Sequence, residues 1–161
     1  MDRLGNTIRL GTHYAMMQNS RDDINEIIKN VSKQEGIRSV RIFNKQGQIK
    51  FSNRLEDLDR KTNIKDDACY ICHDVEPPRE EADIMKRTRI IESPGNGRMI
   101  GVISPIYNEP NCTRQCHVHP PDKRVLGAMD VVVSLDKTDQ VVASYQRWIV
   151  ALAVLIFLMT S

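Results

Sequence analysis

Aromatic side chains are scarce in this chain: Phe, Tyr and Trp make up 5% of its 161 residues, and there is a single Trp. A core so poor in rings leaves space that a bound cofactor can fill. Excess charge of either sign is also missing, because 23 Lys and Arg stand against 21 Asp and Glu for a formal net charge of +2. That balance argues against a nucleic acid as partner. The start, Met1-Asp2-Arg3-Leu4, has no apolar segment of the kind that forms a signal peptide or a first membrane span. Cysteine is limited to four residues, and they fall in two close pairs.

Those pairs are the most informative feature present. Cys69-Tyr70-Ile71-Cys72-His73 has the Cys-x-x-Cys-His spacing that attaches a c-type haem. Two thiols three positions apart each add to one vinyl group of a porphyrin, and the adjacent imidazole falls onto the iron. Cys112-Thr113-Arg114-Gln115-Cys116-His117 repeats the arrangement with one more spacer residue, followed by Val118-His119. The expectation is haem c at Cys69, Cys72 and His73, with a second haem at Cys112, Cys116 and His117. Two other readings stand beside it. Four thiolates hold one zinc ion in many small domains, but the gap between these pairs is about twice that of a common zinc ribbon, and both trailing histidines would be left over. Two local disulfides are the other reading, although so short a loop stabilises little.

Trp148 to Ser161 reads WIVALAVLIFLMTS, uncharged and nearly all apolar. A bilayer core needs about 20 such residues, so the run is read as a truncated transmembrane helix; the alternative, a short buried core helix, would carry a polar face. The division is therefore 1–146 as an extracytoplasmic domain and 147–161 as the truncated span. Haem c is attached outside the cytoplasm in bacteria, so an exported domain lacking an export signal is expected to be a piece of a longer protein.

Periodicity supplies an outline. Met1 to about Glu35 reads as helix, with Ile24, Ile27, Ile28 and Val31 forming an i, i+3, i+4, i+7 stripe and Ser20-Arg21-Asp22-Asp23 as either a helix cap or a polar turn of one long helix. Val40, Ile42, Ile49 and Phe51 alternate about Asn44-Lys45-Gln46-Gly47 as in a β-hairpin. A polar loop from Asn53 to Ala68 delivers the first motif. Strands follow at about Thr88 to Glu92, Met99 to Tyr107 and Val125 to Leu135, and a helix from Asp136 runs without Pro or Gly into the apolar segment. Both motifs lie on connections between strands, where a scaffold usually carries its site.

This order, with Ile37 to Gly47, Cys69 to His73, Cys112 to Pro120 and Val125 to Leu135 as its marks, resembles the extracytoplasmic haem-motif sensor regions of bacterial transmembrane histidine kinases and chemoreceptors. The resemblance implies an α+β fold: a PAS-like or Cache-type antiparallel sheet, a long N-terminal helix and a C-terminal helix running into a span. It further implies a parallel homodimer in the inner membrane with its main domain in the periplasm, sensing redox state or a diatomic gas. The output module of such a receptor would lie outside these residues, and no catalytic residue is assigned. Candidates for the sixth iron ligand are His13, Met16 and Met17 on the entry helix, and His119, which lies too close to His117 to reach the opposite face of the same iron. The rival reading is a membrane-anchored di-haem c-type cytochrome for electron transfer. A peroxidase-like enzyme ranks third, since no acid or base near either motif stands out.

Overall fold

The computed structural model describes residues 2–160 except 82, 94, 96, 110–118 and 121. The elements run α1 (Asp2–Met17), α2 (Arg21–Ser32), β1 (Ile37–Asn44), β2 (Ile49–Ser52), α3 (Asp67–His73), β3 (Thr88–Ser93), β4 (Gly97–Tyr107), β5 (Val125–Ser134) and α4 (Asp136–Thr160). All five strands form one antiparallel sheet in the order β2-β1-β5-β4-β3. This is the α+β, PAS-like class expected, with helices at the N-terminal end and an apolar helix leaving the sheet at the C-terminal end.

The long entry helix is two helices. Ser20 adopts an extended conformation and its side chain accepts a hydrogen bond from the Asp23 amide at 3.4 Å, so α2 has its own N-cap. Asn19, at φ 52°, takes the left-handed turn that separates it from α1; Asn tolerates that conformation better than most residues. The cap reading of Ser20 to Asp23 is thus the one realised.

Strand register divides the sheet into two unlike faces, because successive side chains point to opposite sides. Val40 pairs with Val131 and Ile42 with Met129. These four pack with Ile8, Ala15, Ile24, Ile28 and Phe51 into the core beneath α1 and α2. The intervening residues face the other way: Arg41 opposite Asp130, Phe43 opposite Ala128, Ile103 opposite Asp130 and Pro105 opposite Ala128. The first face is a conventional apolar core; the second carries charge at its centre.

Asp130 is fully buried, yet it sits in the middle strand of the sheet. Arg89 grips its carboxylate with both Nη atoms, at 2.7 and 3.0 Å, and Arg41 Nη2 donates to Oδ2 at 2.7 Å. The network crosses four strands, since Arg89 on β3 reaches Asp130 on β5 by lying over Gly101 of β4. A Cβ on Gly101 would stand 2.7 Å from the Arg89 guanidinium carbon. Buried charge is tolerated only when paired and hydrogen-bonded, and this pairing satisfies that condition for the acid.

The described surface of α4 contains no buried residue, and the helix is long and apolar enough to cross a membrane. Twenty-five residues rise about 38 Å, more than a bilayer core of about 30 Å. It continues without a break through residue 147, so the soluble and apolar parts share one rod.

Two tests follow from the packing. Asp130→Ala leaves two guanidinium groups facing a low-dielectric interior and should destabilise the fold by about 3–5 kcal/mol in urea melts, which a surface substitution would not approach. Glycine replacements should split by site. Gly11→Ala, in mid-helix with open space around it, should stabilise by about 0.5–1 kcal/mol. Gly127→Ala should destabilise, because its Cβ would collide with the Phe43 carbonyl oxygen and force β1 from β5.

Candidate functional site

The chain from β2 to β3 crosses the charged face of the sheet, and α3 lies there. The sequence outline placed the first motif at the end of a polar loop; it occupies a seven-residue helix instead. Positions i, i+3 and i+4 of a helix share a side, so Cys69, Cys72 and His73 project together. All three line a cavity of about 380 Å³, within the range of small-molecule sites. Its floor is apolar, built from Phe43, Ala68, Ile103, Pro105 and Ala128, and basic side chains including Lys45, Lys123 and Arg124 stand at its margin.

Both thiols are free and half-buried, and His73 is exposed. Burial pushes both thiols above the ordinary cysteine value; the Thr62 hydroxyl, 3.7 Å from Cys69 Sγ, opposes the shift for Cys69, and the Arg87 charge opposes it for Cys72. The segment after the motif is fastened by a two-point bond in which Arg79 Nε and Nη2 donate to the Asp74 carboxylate at 3.0 and 2.9 Å, and the Arg79 amide donates to the Cys72 carbonyl at 2.8 Å.

A haem c fits this donor set. Its thiols are free at the required spacing, its imidazole lies one turn from Cys69, and the adjoining floor is apolar. Among the described residues no three imidazole, thiolate or carboxylate groups gather to hold a metal ion, and the four-thiolate zinc alternative needs Cys112 and Cys116 as well. The second motif, Cys112, Cys116 and His117, lies outside the described residues.

The four candidate sixth ligands are brought together, but elsewhere. His13, Met16, Met17 and His119 line a separate cavity of about 430 Å³ under α1, on the core face of the sheet. Among the described residues the two cavities share Phe43, Asn44 and Gly127, at the end of β1 and the start of β5. The sheet therefore stands between His73 and this group.

Pattern reading also missed the joint between sheet and exit helix. The first turn of α4 is tied to three other segments: Asp136 to Arg38 of β1 at 3.0 Å, Asp139 to Arg98 of β4 at 3.0 Å, and Lys137 to Glu35 after α2 at 2.6 Å. Backbone bonds reinforce them, with the Leu135 amide donating to the Arg98 carbonyl and the Ser134 amide to the Gly36 carbonyl. The Asp136 amide donates to Ser134 Oγ at 3.1 Å and so starts the helix. Alternating opposite charges at 35, 38, 98, 136, 137 and 139 were the available signal, but pairing them requires the register.

No family model and no curated protein matches the sequence. Among solved structures the chain is similar to the E. coli DcuS sensor domain, at 12% identity and a TM-score of 0.48, over 86% of this chain and 94% of that one.

The joint predicts a local effect. Exposed ion pairs contribute little singly and more as a network. Arg38→Ala with Arg98→Ala should speed amide exchange in residues 136–141 about fivefold, while the β5 amides keep their protection.

Proposed function

We propose that this chain is the extracytoplasmic sensor domain of a membrane signal-transduction receptor and that it carries haem c on Cys69 and Cys72, with His73 as iron ligand. One observation carries the reading: α3 presents two free thiols and an imidazole from one side to an apolar-floored cavity on the sheet. When bound, haem supplies an iron centre responsive to redox state and to diatomic gases. The chain's part is to hold it: the two thiols anchor it, His73 sets its orientation, and the apolar floor excludes water from one side. Lys45 lines the cavity and could give countercharge to an acidic haem substituent, whereas Lys123 and Arg124 pair with Asp122 and with Glu80 and Glu81.

The path to the membrane runs along one strand. The cavity floor includes Ala128 and Phe43, and β5 runs from Ala128 directly into α4. A change that favours one position of α3 against the sheet can pass along β5 to the joint, to an extent set by the difference in affinity between the two states. The finer assignments are part of the same proposal: an inner-membrane location with the domain in the periplasm, a parallel homodimer, and a second haem at Cys112, Cys116 and His117. The rival is a membrane-anchored di-haem cytochrome that only passes electrons. Against it stands the three-sided clamp on α4, which an electron carrier on a tether does not need.

The test is covalent haem per chain, measured by pyridine haemochrome and intact mass on the full chain, exported in cells that attach haem c. Haem on the wild type, with one fewer per chain in Cys69→Ala/Cys72→Ala, supports the proposal. A haem-free wild type, alongside a mature control cytochrome, overturns it and returns the Cys pairs to zinc.

A further inference from the structure

The cavity under α1 has its own chemistry, independent of the haem reading. His13, Met16 and Met17 stand at i, i+3 and i+4 on α1, one side of the helix, and line the cavity with His119 from the segment that enters β5. Its remaining wall is largely apolar, with Ile24, Ile42, Phe51 and Ile106. Two imidazoles and two thioethers therefore line one half-open cavity, with Arg21 and Lys50 also on its wall. Methionines side by side are common as packing residues. Here the fully buried positions of α1 are Ile8, Thr12 and Ala15 and Met16 packs partly against the core, whereas His13 and Met17 are half-buried at the flank of the helix.

His13 has an acid nearby, beyond hydrogen-bond reach. Its Nε2 lies 3.7 Å from Glu109 Oε2, and Glu109 is held by Arg9, whose Nη1 donates to Oε1 at 3.2 Å. Calcium or magnesium would need a set of oxygen donors, and no acid is among the described residues lining this cavity, Glu109 standing just outside it beside His13. Thioether sulfur with imidazole nitrogen selects a soft ion.

We propose that His13, Met16, Met17 and His119 form a site for monovalent copper on the face of the sheet opposite the Cys69 cavity. The ion binds by ligation alone and exchanges no electrons in the process. Set against the haem proposal, this gives the domain a second, separate input at α1.

The experiment uses the full chain in detergent with its thiols alkylated, so that cysteine cannot bind the probe. Copper(I) is titrated anaerobically against a chromogenic chelator, and the bound ion is read by X-ray absorption. The expected result is one copper per chain with sulfur and nitrogen scatterers. Met16→Leu/Met17→Leu keeps the apolar volume and should weaken binding about tenfold or more, as should His13→Ala, while His73→Ala leaves it unchanged. Absence of stoichiometric binding overturns the site, as does wild-type affinity in the Met double variant with an unaltered melting temperature. A haem spectrum that shifts in the His13 or Met variants of the haem-loaded chain also overturns it, by making the group an iron-ligand set. Because the thiols are blocked in the copper titration, a failed haem proposal leaves the result unaffected.

Discussion

A single carboxylate holds the two halves of the sheet together. Asp130 occupies the middle strand and is fully buried, and its two arginine partners come from strands on either side, Arg41 from β1 and Arg89 from β3. Gly101 exists at the crossing point because Arg89 must pass over it. Replacing such a network with apolar residues can cost nothing in stability, so its role is better understood as fixing one register out of several. A one-residue slip would put Asp130 into the core under α1 and α2, with neither arginine in reach.

That fixed register is what gives the domain two faces with different chemistry. On the face of Asp130 lie α3, its thiols and the cavity they line. On the other face lie α1, α2 and the His–Met group. β5 belongs to both and continues into α4, where Glu35, Arg38 and Arg98 fasten the first turn to three different segments. Any displacement of the sheet's end is thus delivered to the apolar helix through one short, ion-paired connection.

Much of the fold was legible from periodicity, for reasons specific to each element. Val40, Ile42, Ile49 and Phe51 alternate because one side of their hairpin is buried, and the run from Val125 is apolar because β5 is covered on both faces. The joined entry helix was ambiguous because the Ser20 cap and a polar surface turn look alike until Asn19 is seen at positive φ. α3 could not be read: it has only seven residues, follows a polar stretch without period and is stabilised by packing. Spacing alone singled out Cys69, Cys72 and His73, and the structure brings all three to one cavity. Spacing could not show that His13, Met16 and Met17 lie across the sheet from them, because that depends on which side of each strand faces in. Asp130 was visible as a lone acid in an apolar strand, and its meaning came only with Arg41 and Arg89 beside it.

The central claim is that the cofactor sits on the Asp130 face, against α3 and the sheet. Its most direct test is methyl NMR of the haem-loaded full chain in the paramagnetic ferric state, compared with the protein before haem attachment. The account predicts strong shifts and broadening for Ala128 and Ile103, which floor the Cys69 cavity. Unperturbed Ala128 and Ile103 signals in a chain carrying haem on Cys69 and Cys72 would contradict it.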